Sequence, residues 1–520
     1  MCTPSRMLLG PTLLFALLLP AIASCQDEPS SPAPSTSSAT ADPGADSDEG
    51  RLPLFTDAYQ FECSPLKATG CTGVFEVRKR SEAAVLRTGE DAYRARIALL
   101  ETAKKSIRVQ ALIFRADEAG LHVAELLKRK KKAGLDVRVI VDATSNLDFQ
   151  TQWMYFDLKQ HGIEVEGYEA LYLHAASADV DPKDPLRANK RFHDKLWIVD
   201  GEDPDTGEAV VGGLNIANEY FRIATEPLLK WRDQDVVLRG PIVADTVAAF
   251  DRNYEYFKQI KQERPAVLNT DNSWKLTRQT VAKIVKVKVP HWVRKDHEQL
   301  RDALLDKPVE LAFKPVRARF LQSRPRFEET FIEQAYLHLL GEAKTSIQIA
   351  NAYFIPSKAM IDAMHAAARR GVKVVIVTNS PETNDISVVA RISRYTYQRV
   401  LAVNQEPDFI AKKLPPVEVR EWAALEHDEG TLHAKFMVID RRIAIVGSFN
   451  LDPRSARLNS ETAVALDSPD LVGTLAKGFD EIYVARSKAV TWDEATTYHR
   501  PEDVESTFKL LFALPLKDWL

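Results

Sequence analysis

The chain has 520 residues, of which 45% are hydrophobic and 27% are charged, and its formal net charge is −4. This length and composition predict a chain that is globular for most of its length and large enough for more than one domain. The slightly acidic balance argues against the strongly basic surface of a dedicated nucleic-acid-binding protein, although a local groove could still be positive.

The first 25 residues have the pattern of a secretory signal. An apolar stretch, LLFALLLPA, follows Arg6 and leads through small residues to Cys25. This stretch is too short to span a bilayer comfortably, so we predict that residues 1–25 form a signal peptide. The tetrapeptide Ile22–Cys25 resembles the bacterial lipobox, in which the cysteine receives a diacylglycerol. The alternative is a plain signal peptide with a chance cysteine.

Residues 26–52 are rich in Ser, Pro, Ala and Asp and have no apolar periodicity. Such a segment buries too little apolar surface to offset its ordering entropy, so we predict a disordered tether. Behind a lipidated Cys25, this tether predicts a protein anchored at the periplasmic face of a bacterial cell envelope. Gln26 resembles the residue after the cysteine in lipoproteins sent to the outer membrane.

Two further cysteines, Cys63 and Cys71, lie close together ahead of the main body. In an exported chain this short separation predicts a disulfide that closes a small loop. The alternative is a pair of buried thiols. A metal site is disfavoured because no third or fourth ligand lies nearby.

The rest of the chain is duplicated. The segment AKKSIRVQALIF begins at Ala103, and its counterpart AKTSIQIANAYF begins at Ala343, 240 residues later. Each follows a helical pattern and precedes a helix that ends at glycine and a near-continuous apolar strand. This order predicts an α/β fold with two lobes, 53–258 and 326–520, each a mixed sheet flanked by helices. Residues 259–325 are predicted to form a partly helical connecting segment.

A histidine and a lysine two residues apart recur in both lobes. RFHDKLWIVD contains His193 and Lys195, and TLHAKFMVID contains His433 and Lys435. Because residues i and i+2 project from the same face of a strand, each histidine is expected to share a face with its lysine. Strands seldom bury such a pair without a partner charge, which favours a functional role. Both stretches end in an aspartate, Asp200 and Asp440.

A second signature follows each histidine motif. VVGGLNIANEYF contains Gly212, Gly213 and Asn215, and IVGSFNLDPRSARLNSE contains Ser448 and Asn450. A strand that ends in small residues before a helix can present backbone N–H groups to an anion. We therefore expect both segments to contribute to an anion site.

These residue types could surround one phosphate if the motif faces of the two lobes meet. Lysines would neutralise the non-bridging oxygens, asparagines would donate hydrogen bonds to them, and the histidines would occupy the attacking and leaving positions. One imidazole would attack phosphorus and the other would protonate the leaving oxygen, which is feasible near neutral pH. A carboxylate on the far nitrogen of each ring would fix its orientation.

His-x-Lys-x4-Asp, present twice and followed by GGLN or GSFN, resembles the signature of the phospholipase D superfamily over essentially the whole mature body. The resemblance implies two pseudo-twofold-related lobes, one active site at their interface, a covalent phosphohistidine, and no metal or other cofactor. It assigns catalysis to the two motifs, with His193 as nucleophile and His433 as general acid.

The resemblance also implies roles for the residues around the motifs. It assigns phosphate binding to Asn215, Ser448 and Asn450, and it places Asp233 and Glu461 where the family has the carboxylates that orient the histidines. The motif aspartates Asp200 and Asp440 lie on the other strand parity from the lysines, so we expect them to be structural. The segment EDPDTGEA after Asp200 has no counterpart after Asp440 and is expected to form a longer hairpin turn.

Within the superfamily, the glycine segments resemble bacterial cardiolipin synthases, particularly the type C branch. This implies phosphatidyl transfer or hydrolysis on phospholipids at a membrane surface, with an alcohol, a lipid or water as acceptor. Transfer and hydrolysis stay open because either nucleophile fits the same site. No nucleic-acid partner is expected, and the sequence indicates no protein partner. The alternative is an exported phosphodiesterase or nuclease that acts on nucleic acid.

Overall fold

The computed structural model describes residues 48, 50–63, 74–142, 145–146, 148–168, 191–263 and 293–498. The predicted signal peptide, its lipidation candidate Cys25, most of the predicted tether and Cys71 lie outside these residues. Cys63 is described and is disulfide-bonded. The described end of the predicted tether contacts the body, because Arg51 forms an ion pair with Asp467 at 2.8 Å.

Strands and helices alternate through the first half. The strands are β1 (Val74–Leu86), β2 (Ser106–Ala111), β3 (Asp136–Asp142), β4 (Glu164–Tyr168), β5 (Arg191–Phe192), β6 (Leu196–Val199), β7 (Glu208–Gly212) and β8 (Asp235–Arg239). The helices are α1 (Gly89–Thr102), α2 (Glu118–Lys132), α3 (Phe149–Gln160), α4 (Asn218–Phe221) and α5 (Ile242–Glu263). Thr88, Asp117 and Asp148 begin the first three helices by accepting a backbone N–H at the first turn.

The second half repeats this order after α6 (Lys295–Leu305). Its strands are β9 (Lys314–Ser323), β10 (Ser346–Asn351), β11 (Lys373–Asn379), β12 (Glu418–Trp422), β13 (Lys435–Ile439), β14 (Ile443–Gly447), β15 (Asn459–Asp467) and β16 (Ser487–Ala489). Its helices are α7 (Phe331–Glu342), α8 (Lys358–Arg369), α9 (Ser387–Leu401), α10 (Pro407–Ala411), α11 (Pro453–Arg457), α12 (Pro469–Gly478) and α13 (Trp492–Thr497).

The strands of the described residues join into one mixed sheet in the order β16-β12-β11-β10-β13-β14-β15-β9-β1-β8-β7-β6-β2-β3-β4, while β5 lies off this path and pairs with β15. Read outward from the antiparallel β1–β9 pair, the two arms have matching strand orders, except that β16 extends the arm of the second half by one strand. The two halves are therefore related by a pseudo-twofold axis at this pair. The predicted α/β fold with two related halves is confirmed.

The two halves share a sheet, which the sequence analysis did not predict. The joining strand β9 lies inside the predicted connecting segment, 259–325, and pairs with both β1 and β15. Its sequence, KPVRARFLQS, contains Arg317 and Arg319, which are buried. Arg319 donates to the carbonyls of Leu54 and Phe75, so its charge is met by backbone oxygens. Val316, Ala318 and Phe320 alternate with the two arginines, which is the two-residue period of a strand, so the second half is better begun before β9.

The two faces of the sheet are packed differently. On one face each half has its own core, under α1, α2 and α3 in the first half and under α7, α8 and α9 in the second. On the other face a single apolar core runs through both halves, where Phe250 and Tyr254 of α5 and Leu475 of α12 pack near Phe320 of β9. Burial of this shared core holds the two halves in one relative orientation. Residues of both halves that meet at the interface are therefore held in position.

Candidate active site

Each histidine segment is held by the opposite half of the chain. β5 runs parallel to the start of β15, and the backbone N–H of His193 donates to the Ser460 carbonyl at 2.8 Å. The second half repeats this arrangement, because the N–H of His433 donates to the Arg232 carbonyl at 2.7 Å. Ser460 and Arg232 each precede a carboxylate residue, so these bonds bring each histidine beside a carboxylate of the other half.

The histidine rings and these carboxylates form two crossed pairs. Nδ1 of His193 bonds to Oε2 of Glu461 at 2.8 Å, and Nδ1 of His433 bonds to Oδ2 of Asp233 at 2.6 Å. A proton held on Nδ1 by a carboxylate leaves the lone pair on Nε2, which is the nitrogen available for chemistry. The sequence predicts that these carboxylates orient the histidines. It does not indicate that each one serves the histidine of the other half.

The two lysines are buried beside the histidines. Lys435 is the first residue of β13, and Lys195 lies directly before β6. Nζ of Lys195 donates to the carbonyl of His193 at 2.8 Å, and Nζ of Lys435 donates to the carbonyl of His433. The histidine and lysine of each motif are thereby linked as one unit.

Burial sets the electrostatics of the four motif residues. It lowers the pKa of Lys195 to about 7 and that of Lys435 to about 8, against the attraction of nearby carboxylates. Burial and the neighbouring lysines also lower the pKa of His193 and His433 well below the usual value. A phosphate anion among these groups would favour their charged forms, because an opposite charge raises the pKa of a cationic group. The site therefore suits an anionic ligand.

Comparisons with known proteins agree with this site. A family model described as "Cardiolipin synthase, PLD-like domain" matches residues 97–263 and 336–483, which is more than half of the chain. The chain belongs to this family. Each matched segment contains one His-x-Lys-x4-Asp motif.

Individual members of the family match part of the chain. Cardiolipin synthase C of Escherichia coli is 29% identical over 330 residues, which cover 59% of this chain and 64% of that protein. A probable cardiolipin synthase of Bacillus subtilis is 29% identical over 318 residues, covering 59% of this chain and 50% of that protein. The chain therefore spans about half to two thirds of the length of these curated relatives.

A solved structure shares the fold. The crystal structure of phosphatidylserine synthase from Haemophilus influenzae superposes with a TM-score of 0.58 at 16% sequence identity. The superposition covers 84% of this chain and 95% of that one. It supports the two-half PLD-like architecture over nearly the whole described body.

A serine-rich network surrounds Glu461 in this PLD-like site. Its Oε2 accepts from Oγ of Ser448 at 2.5 Å, and its Oε1 accepts from Oγ of Ser455 at 2.7 Å and from Nδ2 of Asn459 at 3.3 Å. Burial raises the pKa of Glu461 to about 7, while these donors oppose the rise. Ser448, predicted to bind phosphate, thus donates to the carboxylate that holds His193. Sequence reasoning missed Ser455 and Asn459, although both lie in the polar run before Glu461.

The glycines of the first half make room for carboxylates. A Cβ on Gly213 would lie 2.6 Å from both carboxylate oxygens of Asp233, and a Cβ on Gly212 would lie 1.7 Å from Oδ1 of Asp235. The Gly213 N–H donates to Oδ1 of Asp235 at 2.9 Å. The expectation that this N–H faces a bound anion is therefore wrong, because an internal carboxylate already occupies that position.

The two predicted phosphate-binding asparagines have different surroundings. Oδ1 of Asn215 accepts from the Ile113 N–H at 3.1 Å, and its Nδ2 donates to the Tyr220 hydroxyl at 2.9 Å. Asn450 is also buried, but its Oδ1 has no hydrogen-bond partner among the described residues. One Nδ2 hydrogen of Asn215 remains for a ligand, so phosphate binding by both residues stays a prediction.

Aromatic rings pack against the second histidine. The ring of Tyr220 lies 5.2 Å from that of His433 in an edge arrangement, and the ring of Trp231 lies 5.4 Å from it. Such packing restricts the ring to one orientation and excludes water from it. Sequence reasoning missed both residues, although Trp231 lies two positions before Asp233 in the motif WRDQD.

The motif aspartates bind backbone N–H groups rather than the histidine and lysine side chains. The carboxylate of Asp200 accepts from three consecutive backbone N–H groups, at residues 104–106, over 2.7 to 3.1 Å. The carboxylate of Asp440 accepts from the equivalent groups at residues 344–346. Both aspartates have positive φ, 49° and 52°. Their contacts agree with the structural role expected from strand parity, since they join the end of each motif strand to the start of β2 or β10.

Replacing Asp200 with alanine is expected to lower the free energy of unfolding by about 2 to 4 kcal/mol. The change removes the acceptor of three backbone N–H groups, of which that of Ser106 is buried, and leaves alanine in the left-handed region. Urea denaturation measures it, with Asp200→Asn as control, because asparagine tolerates this φ and keeps one acceptor. An unchanged unfolding midpoint together with lost activity would instead indicate a direct role in catalysis.

No arrangement of three or more His, Cys, Asp or Glu side chains suited to a metal ion occurs among the described residues.

Proposed function

We propose that this chain transfers or hydrolyses phosphatidyl groups of phospholipids through a covalent phosphohistidine. The observation that carries the proposal is the crossed arrangement of two histidines, each with a carboxylate on Nδ1 contributed by the other half. Two buried lysines beside these rings supply positive charge for one phosphodiester. Two oriented imidazoles with neighbouring cations can supply a nucleophile, a general acid and charge neutralisation for in-line displacement at phosphorus.

In the first step, Nε2 of His193 attacks phosphorus and the bond from phosphorus to the headgroup oxygen breaks. His433 gives the proton on its Nε2 to that oxygen, so the headgroup leaves as a neutral alcohol. The phosphatidyl group is then bonded to His193. The assignment of His193 as nucleophile follows the family resemblance.

In the second step, an acceptor hydroxyl occupies the position that the headgroup has left. It gives its proton to His433 while its oxygen bonds to phosphorus and displaces His193. Water as acceptor yields phosphatidic acid, and an alcohol or lipid hydroxyl yields a new phospholipid. Asp233 stabilises the imidazolium form of His433 at the start and end of this cycle.

The phospholipid substrate class is supported by the family and by the names of its members. The matching family and two named relatives are cardiolipin synthases. The nucleic-acid alternative has less support, since the chain has a net charge of −4 and these relatives are lipid-synthesising enzymes by name.

Exposed apolar side chains near the second histidine support action at a membrane surface. Leu228 and Leu229, 52% and 43% exposed, lie in the turn that leads to Asp233, and Leu425, 40% exposed, lies ahead of His433. The two segments are joined, because the Gly430 N–H donates to the Lys230 carbonyl at 2.9 Å. Among the described helices, none is long and apolar enough to cross a bilayer. Exposed leucines on the two segments that precede Asp233 and His433 offer an apolar surface for contact with lipid.

Replacing Leu228 and Leu229 with serine is expected to lower the turnover of phosphatidylglycerol in vesicles about tenfold. Turnover of a short-chain phospholipid, dissolved below its critical micelle concentration, should change less than twofold. The substitutions weaken contact with the vesicle surface and leave the active site unaltered. The matched control is Ile410→Ser, since Ile410 is 59% exposed on α10. Equal losses on both substrates would show that the leucines support the fold of the site rather than lipid contact.

We further propose that the chain is lipid-anchored at Cys25 on the periplasmic side of the cell envelope, in the outer membrane. Cys25→Ser should leave the protein exported but released from the membrane fraction, because it loses a diacylglycerol with many methylenes, worth about 0.8 kcal/mol each. Membrane fractionation measures this. Unchanged sedimentation with membranes would place the attachment in the catalytic body.

Mass spectrometry of lipids tests the proposed function directly. Purified protein is incubated with vesicles of phosphatidylglycerol and phosphatidylethanolamine, with and without added alcohol. Phosphatidic acid indicates hydrolysis, and cardiolipin or a phosphatidyl alcohol indicates transfer. Cleavage of plasmid DNA without any new lipid would favour the nucleic-acid alternative.

A further inference from the structure

Tyr353 and Asp385 form a hydrogen-bonded pair that the mechanism above does not use. The Tyr353 hydroxyl lies 2.9 Å from Oδ1 and 2.8 Å from Oδ2 of Asp385. The tyrosine is half-buried and the aspartate is exposed. Because a phenol has one proton and a carboxylate has about four acceptor positions, Asp385 keeps the capacity to accept further hydrogen bonds.

The sheet register places Tyr353 beside the second motif. Strand β10 ends with Asn351 directly opposite Lys435 on β13, and Tyr353 follows two residues later, just past the end of the strand. Tyr353 also interacts electrostatically with Tyr220, whose ring lies 5.2 Å from that of His433. Both ends of this segment are tied to Leu451, whose N–H donates to Oδ1 of Asn351 at 3.0 Å and whose carbonyl accepts from the Ile355 N–H at 2.8 Å. Tyr353 therefore lies at the edge of the site nearest to the second histidine motif.

Asp385 is tied to the same region through the end of β11. Nδ2 of Asn379 donates to the Leu432 carbonyl at 2.6 Å, and the Leu432 N–H donates back to its Oδ1 at 2.9 Å. Leu432 immediately precedes His433, so the segment that carries Asp385 begins at the catalytic motif. Asp385 and Lys435 also attract each other electrostatically.

This polar pair breaks the pseudo-twofold symmetry of the site. At the repeat offset of 240 residues, the counterpart of Tyr353 is Ile113, which has no hydroxyl. The pair thus lies on the His433 side, and within the described part of the first half the position that corresponds to Tyr353 has no phenol to form such a pair. In the proposed reaction, His433 handles the oxygen of the alcohol, both when the headgroup leaves and when the acceptor enters.

We propose that Tyr353 and Asp385 form a subsite for hydrogen-bond donors of the alcohol, such as the free hydroxyls of a glycerol headgroup or acceptor. This inference rests on the proposed function. The Asp385 carboxylate accepts from a hydroxyl of the alcohol while the Tyr353 hydroxyl holds the carboxylate in place. The same contacts act on the departing headgroup and on the arriving acceptor, so the pair determines which alcohols the enzyme exchanges.

The test compares two substrates that differ only in the alcohol. Phosphatidylglycerol has two free headgroup hydroxyls, whereas phosphatidylmethanol has none, and both are presented in otherwise identical vesicles. The readout is the ratio of kcat/KM for the first substrate to that for the second. In Asp385→Ala and in Tyr353→Phe this ratio is expected to fall about tenfold, the effect of one lost hydrogen bond to a charged or polar group. The control is Asp362→Ala, an exposed aspartate of α8 paired with Lys358.

Each outcome decides between distinct explanations. An unchanged ratio, with equal losses on both substrates, would overturn the subsite and leave Asp385 as a general electrostatic partner of Lys435. A larger loss for phosphatidylethanolamine than for phosphatidylglycerol would support the subsite and identify an ammonium as its preferred donor. If the unaltered protein turns over no phospholipid, the proposed function itself fails, and the subsite fails with it.

Discussion

Alanine at His193 or at His433 is expected to reduce turnover of a phospholipid by at least about 10²- to 10⁴-fold. A positioned acid or base alone contributes a factor of this size, and a nucleophile contributes more. Each ring is oriented by a hydrogen bond between Nδ1 and a carboxylate. Alanine has no ring to replace the one that is lost. Initial rates on phosphatidylglycerol vesicles measure the loss, and thermal unfolding shows whether the fold is kept.

The two histidine variants should differ when the leaving group needs no proton. With an activated phosphodiester such as a nitrophenyl ester, His433→Ala keeps the attacking ring and should accumulate a phosphoryl group on His193. His193→Ala should form no such adduct. Intact-protein mass spectrometry after a rapid acid quench separates the two results. An adduct found only in His193→Ala would mean that the roles are exchanged, and full activity in both variants would rule out the phosphohistidine.

Neutralising either orienting carboxylate is expected to lower kcat by about 10²- to 10⁴-fold while the protein stays folded. Glu461→Gln and Asp233→Asn preserve the shape of the side chain but remove the charge that stabilises the imidazolium. An amide can also donate its hydrogen to Nδ1, which would select the wrong tautomer. Because loss of a nearby anion lowers the pKa of a histidine, Glu461→Gln should move the acidic limb of the rate profile, set by the nucleophile His193, to lower pH. Asp233→Asn should move the alkaline limb, set by the general acid His433, to lower pH.

The pH profile separates an orienting role from a merely structural one. A carboxylate that only supports the fold would lower the unfolding temperature and the active fraction without moving the profile. Ser455→Ala is the matched control, because it removes one donor to Oε1 of Glu461 and leaves the carboxylate charge in place. We expect this control to lower kcat about tenfold or less. An unshifted profile in both carboxylate variants would contradict the orienting role.

Much of this architecture was predictable because its signals are local in the sequence. The repeated helix and strand patterns, such as those that begin at Ala103 and Ala343, depend on residue periods and indicate a duplicated α/β fold. The His-x-Lys pairs and the motif aspartates have fixed short spacings, and Asp200 and Asp440 make equivalent contacts in the two halves. The strand β9 that joins the halves also has a local signal, because Val316, Ala318 and Phe320 alternate with Arg317 and Arg319, but its pairing with both β1 and β15 depends on residues distant in the chain.

By itself, the sequence determined the duplicated fold, the family and the motif residues that are predicted to form the site. Only the tertiary structure decided which carboxylate serves which histidine, that Gly213 makes room for Asp233, and that Tyr353 meets Asp385. These contacts join residues that are far apart in the chain or that meet only once strands pair. They depend on the strand register that brings β5 beside β15 and joins the two arms at the β1–β9 pair. Spacing along a chain encodes local geometry, whereas register between distant strands is set by packing of the whole sheet.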